Sequence, residues 1–370
     1  MSESSVSVDL NPKALQLRQS LSKSFFRKGI TVAILSGICY GLYSAFLTAA
    51  MSKGIWADWY GDNLAGLSAF VIVYMLGALG SAVNDTSSAI WCLLIAASKG
   101  KLGDFFRSIK TKPGAVMIVC ALFGGPIAST AYVVALQMAG SIVIPITALC
   151  PAIGAILGRI LFKQELNGRM IVGVIVCVSA SILIGSTGMG GDAPDGMLLG
   201  CLIALIAAFG WGIEGCIAGY GTTLIDFEIG ITIRQTTSGL TNLIILIPLL
   251  SLIAGDISIA PQIIIGAVSS APAMLFFAIS GFFAVYAYSL WYKGNSMCGA
   301  PLGMACNGAY SFWGPFFCWL LLGVFMGQDG WMLQPKAWIA AVLMFVGICL
   351  IAFNPLELFR KKEAVQNVGA

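Results

Sequence analysis

Histidine is absent from all 370 residues. That absence excludes Ser-His-Asp and Cys-His catalysis, His-ligated haem and HExxH zinc chemistry. Charge is nearly as scarce. Asp, Glu, Lys and Arg make up 10% of the chain, where a soluble domain carries about 25%. So few charges are incompatible with a soluble enzyme, a disordered chain or a nucleic-acid binder. There is no Walker A sequence and no CxxC pair. The chain is therefore not expected to be a primary pump by itself, and disulfides or metal thiolates would need polar, clustered cysteines. No catalytic residue, metal ligand set or cofactor is expected.

What fills the chain instead is apolar: 58% hydrophobic residues, with 44 glycines. The 11 cysteines all sit inside apolar runs, where they read as small packing residues. A bilayer-crossing helix needs about 20 mostly apolar residues. Ten such stretches can be read, at 29–51, 68–97, 114–136, 142–162, 168–188, 197–219, 231–254, 262–290, 298–326 and 335–354. The second is too long for one straight crossing, and its membrane part is placed near 76–97. The polar, basic residues 1–28 read as a cytoplasmic tail, with no cleavable signal in them, and 355–370 as a second tail.

Orientation follows from Lys and Arg. With the N-terminus inside, 18 of the 20 basic residues fall on the cytoplasmic side, leaving Lys53 and Lys336 outside. Both termini are then cytoplasmic, which requires an even number of spans. The outer loops carry acids: Asp58, Asp62, Asp192, Asp195, Asp256 and Asp329. The expected location is the cytoplasmic (inner) membrane.

Ten spans divide as five and five, and an odd number per half makes the second half inverted. Traces of duplication agree. AYVVALQMAGSIVIP (131–145) pairs with AYSLWYKGNSMCGAP (287–301), and Tyr40-Gly41 with Trp211-Gly212. The expected fold is an all-α integral membrane protein of ten transmembrane helices in two inverted five-helix repeats, 29–188 and 197–354.

The segment PAIGAILGRILFKQELNGRMIVGVIVCVSASILIG (151–185) resembles the fourth and fifth helices of EamA-type members of the drug/metabolite transporter superfamily, through Pro151, Gly158, Glu165 and Gly173. The resemblance implies two inverted repeats around a central cavity open to one side at a time. Asp329 stands where the second repeat of that family usually has Glu.

Acids at membrane depth usually mark function. Glu214, in FGWGIEGC (209–216), falls mid-span, and Asp85 lies beside Asn84 in GSAVNDTSS (80–88). Burial penalises the ionised form of Glu214, so it is the expected proton-coupling carboxylate. Ala207, Trp211 and Glu214 also resemble the first helix of small multidrug-resistance proteins, which carry one essential Glu there. Asp85 lies in the membrane only if 76–97 is the crossing part. Arg234 is expected to snorkel to the cytoplasmic interface, though it could pair with either acid. Mid-span aromatic and polar residues supply the expected substrate lining: Tyr40, Tyr43, Asn84, Asp85, Trp211, Tyr288, Trp291, Asn307 and Tyr310. Trp56, Trp59, Trp331 and Trp338 read as interface anchors. Gly124-Gly125-Pro126, Pro145, Pro151, Pro301 and Pro315 should bare backbone carbonyls beside a cavity.

These features point to a secondary active transporter of a small polar metabolite, working by alternating access and open to proton coupling. The partners are that small molecule and the bilayer, with no nucleic acid, and the protein is a monomer or homodimer. A membrane-embedded enzyme and a channel or scaffold remain open alternatives.

Overall fold

The structure is a computed structural model describing residues 12–61, 66–162, 167–185, 195–221, 224–298, 300–332 and 334–352. Glu165, Asp62, Asp192 and the tails at 1–11 and 353–370 lie outside the described residues. Among the described residues all regular structure is helical.

The first helix, α1 (Pro12–Ala50), begins well before residue 29. Pro at its first position is preorganised for a helix start, and the Leu, Gln, Arg and Lys that follow are good helix formers. A short helix α2 (Ile55–Tyr60) precedes α3 (Leu76–Ser98), which is entered through a π-helical turn at Val71–Met75. After α4 (Leu102–Ser108), helix α5 (Lys112–Leu122) starts where the Thr111 side chain accepts from Gly114 N. It runs through a π-helical stretch, Phe123–Ser129, into α6 (Thr130–Ala139). Gly140, with φ of 65°, ends α6 in a conformation that L side chains rarely adopt. Then follow α7 (Val143–Thr147), α8 (Cys150–Phe162) and α9 (Gly168–Gly185).

The second half opens with α10 (Met197–Gly221). Asp226 caps α11 (Phe227–Thr241), its carboxylate accepting from the Glu228 and Ile229 amides. A π turn, Asn242–Leu246, leads to α12 (Ile247–Ile253). The stretch expected as one span at 262–290 is two helices, α13 (Ile259–Ser269) and α14 (Ala271–Cys298), broken at Ser270. The chain closes with α15 (Ala300–Asn307), α16 (Tyr310–Cys318), a π-helical extension at Trp319–Phe325, and α17 (Pro335–Ala352).

Five helical rods among the described residues are long and apolar enough to cross a membrane: Arg27–Ala50, Lys112–Thr147, Met197–Ala218, Phe227–Ile253 and Ala271–Met297. Helix α3 falls outside that set because Asn84, Asp85, Thr86, Ser87 and Ser88 occupy its centre.

Burial is distributed as a lipid-embedded protein requires. Ile90, Leu94, Ile175, Leu202, Ile206, Ile245, Leu252, Ile265 and Leu275 are exposed, while Ser44, Asn84, Asp85, Glu214, Arg234, Gln235 and Ser238 are buried. So many exposed apolar side chains are suited to lipid or a partner surface. Without a hydrophobic force between helices, close packing of small residues holds the bundle. Helix α1 lies along α14 and against α16, α10 along α6 and against α8, α3 along α11, and α9 along α17. Gly37 and Gly41, one turn apart on α1, let its backbone meet Asn307 and Trp313; a Cβ on Gly41 would stand 2.8 Å from the Trp313 carbonyl carbon.

Gly41→Val should therefore destabilise the bundle by about 1–3 kcal/mol through overpacking. Thermal unfolding of the purified protein in detergent measures it, and an unchanged midpoint would contradict the close α1–α16 approach.

Candidate functional site

Helical spacing gathers the polar side chains. Asp85 and Ser88 are three apart on α3, Trp211 and Glu214 three apart on α10, and Arg234 and Ser238 four apart on α11, so each pair shares one face. These faces converge on Arg234, which is fully buried. Its Nε donates to Glu214 Oε1 at 2.9 Å, and its Nη2 reaches Glu214 Oε2 at 3.4 Å. Nη2 also donates to the Gly124 carbonyl (2.8 Å) and Ser129 Oγ (3.2 Å), and Nη1 to Gln235 Oε1 (2.6 Å). Asp85 Oδ2 stands 3.7 Å from Nη1, within ion-pair range, and accepts from the Ser238 hydroxyl. Tyr292 donates to Glu214 Oε1 at 2.8 Å, and Gln235 Nε2 to Ser88 Oγ at 2.6 Å.

The π-helical stretch at Phe123–Ser129 makes room for this cluster. Its widened turn carries Pro126, which has no amide hydrogen to give. The Gly124 carbonyl accepts from Arg234, Trp211 Nε1 (3.1 Å) and Ser129 Oγ (2.8 Å). Here the sequence interruption does bare a carbonyl. The glycines are needed too: a Cβ at residue 124 would collide with the Glu214 carboxylate, and one at 125 with the Ser238 hydroxyl.

Beside the cluster lies an aromatic chamber lined by Tyr40, Cys150, Trp211, Ala287, Tyr288, Trp291, Asn307 and Tyr310, with about 10 Å³ of free space. That is room for about one water. Tyr40 stacks on Tyr310 at 4.3 Å and meets Tyr43 (5.2 Å) and Trp211 (5.7 Å) edge-on. Tyr288 joins chamber and cluster: the Arg234 guanidinium carbon sits 4.1 Å from its ring centroid. Asn307 Nδ2 donates to Ser36 Oγ (2.6 Å), and Tyr310 pairs with Cys150 Sγ (3.7 Å). Among the described residues, Trp291 Nε1, Tyr40 Oη and Tyr288 Oη have no hydrogen-bond partner of ordinary geometry; the hydroxyls of Tyr132 and Ser129 face the two tyrosines. Buried polar atoms left over in a lining are unusual and want a ligand or water.

At one end of the bundle, Lys99 and Lys101 tie the end of α3 to the start of α11. Lys101 Nζ lies 3.1 Å from Asp226 and 2.8 Å from Glu228, and Lys99 Nζ 2.5 Å from Glu228. Burial works against ionisation of Asp226. Hydrogen bonds from Lys101 and from the Glu228 and Ile229 amides outweigh it and hold the carboxyl below its ordinary value. The contribution of Asp226 is therefore present above the ordinary carboxylate value, about 3.9, and lost as pH falls through its lowered value. A vestibule of about 210 Å³ lies behind the latch, lined among others by Cys92, Lys99, Glu228, Thr232, Ser289 and Lys293.

The structure thus brings together Tyr40, Tyr288, Trp211, Trp291, Asn307 and Tyr310 around one chamber, with Tyr43 behind Tyr40, and Asp85 and Glu214 around Arg234. Asn84 lies off the chamber, its Oδ1 accepting from Ser280 Oγ at 2.6 Å. Arg234 does not snorkel. The Asp226 cap starts α11 four residues before 231, so Arg234 is two turns inside. Asp85 lies within one unbroken helix. Trp56 and Trp59 are buried rather than interfacial, Trp56 packing on Phe277 at 5.3 Å. Tyr132, Tyr292, Gln235 and Ser238 were not expected at the site; only Tyr132 carried a signal, through the 131–145 and 287–301 duplication.

No protein-family model matches the sequence, and no curated protein does. Among solved structures, a chain described as "Crystal structure of protein" is similar over 86% of this chain and 96% of its own length, at 16% identity and a TM-score of 0.47.

Arg234→Gln should lower stability by about 3–5 kcal/mol, because it leaves Glu214 buried without its counter-ion. Adding Glu214→Gln should restore part of that loss, as read by thermal unfolding of the single and double variants; additive losses would mean the two side chains do not act as a pair.

Proposed function

We propose that the protein is a secondary active transporter of a small polar metabolite, of the ten-helix drug/metabolite kind that residues 151–185 resemble, working by alternating access with proton coupling. The observation that carries this reading is the tight aromatic chamber, sharing Tyr288 with a buried carboxylate–guanidinium cluster, inside a bundle whose outside is apolar. A chamber with room for about one water must widen to admit a substrate.

The helix pairings support the two-repeat arrangement. Let α1, α3, α5–α6, α7–α8 and α9 correspond in order to α10, α11, α14, α15–α16 and α17. The α1–α14 contact then maps onto α10–α6, α1–α16 onto α10–α8, and α3–α14 onto α11–α5. The pairs α3–α11, α7–α16 and α9–α17 map onto themselves. A pseudo-two-fold axis accounts for all six. Gly140 supplies the break between the third and fourth spans.

On this reading the Lys99/Lys101–Asp226/Glu228 latch is the cytoplasmic closure. Partly exposed ion pairs are worth about 0–1 kcal/mol each, which suits a contact that must break every cycle. Lys101→Gln should raise labelling of Cys92 by a membrane-impermeant maleimide severalfold from the cytoplasmic side, with the added signal lost in a Cys92→Ala background. Unchanged labelling would remove the latch from the gating scheme.

The function itself is tested by uptake of a metabolite panel into proteoliposomes, with and without a pH gradient. Accumulation of a metabolite class that rises with the gradient is expected. Failure of every compound to enter, by net uptake or exchange, would refute transport, and downhill flux without saturation would favour a channel.

A further inference from the structure

The buried cluster holds two carboxylates and one guanidinium, and the geometry does not treat the carboxylates alike. Glu214 receives Arg234 Nε at 2.9 Å and the Tyr292 hydroxyl at 2.8 Å on Oε1, with Nη2 at 3.4 Å from Oε2. It is fully buried and one-to-one with its counter-ion. The remaining hydrogen bonds of Arg234 go to the Gly124 carbonyl, Ser129 and Gln235. None goes to Asp85, which at 3.7 Å from Nη1 is beyond hydrogen-bond distance.

We infer, on the transport reading above, that Asp85 and not Glu214 is the carboxylate that loads and releases the coupling proton, Glu214 being the fixed counter-ion of Arg234.

The charged and titratable groups facing Asp85 are Arg234 from α11, Glu214 from α10, Tyr288 from α14 and Tyr43 from α1. Tyr132 of α6 is turned away, donating to Ser44 Oγ. With Glu214 ionised against Arg234, an ionised Asp85 would leave one uncompensated negative charge in a site sealed from water, which is the costly case. Protonated, Asp85 makes the cluster neutral. Of the side chains beside it, Asn84 favours the ionised form, while the Ser238 hydroxyl suits either, since it can donate to the carboxylate or accept from the acid. The proton bonds to an Asp85 carboxylate oxygen from water on one side of the membrane and returns to water on the other; nothing else changes charge. Position fits the role. Asp85 is on α3 and Arg234 on α11, the two helices whose ends are joined by the Lys101 latch. When Asp85 ionises, the guanidinium gains a second claimant from across that same pair, so proton release biases how α3 and α11 sit.

Infrared spectroscopy of the reconstituted protein tests this without a known substrate. A protonated buried carboxyl gives a C=O stretch separate from ionised groups. At neutral pH that band should be present, should shift when the chain is made with carboxyl-13C aspartate, and should vanish in Asp85→Asn; it should weaken in Glu214→Gln, where Asp85 takes over as the carboxylate that neutralises Arg234. A band that ignores the aspartate label overturns the assignment, as does the absence of any such band. The labelled wild-type chain decides the matter alone if either variant fails to fold. With a transported metabolite in hand, Asp85→Asn should lose stimulation by a pH gradient and keep counterflow exchange; retained stimulation overturns the coupling role. A labelled aspartate band in a protein that transports nothing would sink the transport reading and leave the protonation of Asp85 standing.

Discussion

One guanidinium, Arg234, is placed where lipid surrounds the bundle and water does not reach. A buried cation needs acceptors on every side, and these come from three helices and one π-helical stretch: Glu214, the Gly124 carbonyl, Ser129, Gln235, with Asp85 close by. That demand explains features that otherwise look unrelated. Gly124 and Gly125 lack side chains because the carboxylate and Ser238 occupy that space. The turn around Pro126 is widened to π geometry, and there the Gly124 carbonyl meets Arg234, Trp211 and Ser129. Trp211 is anchored to the same carbonyl, and so the chamber wall is fixed by the ion cluster. The rest of the packing, small residues facing small residues between α1, α16, α3 and α14, brings these helices near enough for the contacts to form.

The general character of the fold is readable in the sequence because lipid imposes a simple rule: backbone groups must be satisfied within helices, so apolar length tells where helices lie. Boundaries are less readable, since they depend on caps. The Asp226 cap moves the start of α11 outward and with it the depth of Arg234; hydropathy, which averages over many residues, cannot see one carboxylate accepting two amides. The acids Asp85 and Glu214 stand out by rarity alone. Tyr132 and Tyr292 do not, because the chain has 10 tyrosines and 9 tryptophans and nothing local separates a lining ring from a packing ring. Glu214 illustrates the limit of reading residues singly: its depth and flanking glycines suggest a mobile proton, and the structure adds a guanidinium from another helix at 2.9 Å.

Tyr288 has the guanidinium against one face of the site and the chamber at the other, and α14 carries both it and the chamber residue Trp291. Charge in the cluster and shape in the chamber are thus expressed through the same ring and the same helix. This is a short physical route between an ionisation event and a cavity, made of one contact rather than a chain of residues.

The small size of the chamber bears on how tightly any ligand can be seen to bind. With Tyr40 stacked directly on Tyr310, a guest larger than a water must first separate rings already in favourable contact. A measured affinity will then be the intrinsic affinity reduced by the fraction of molecules open at that moment. Weak binding would say as much about how well the empty protein packs upon itself as about how well the guest fits, and comparisons among ligands will rank fit faithfully only when they all demand the same opening.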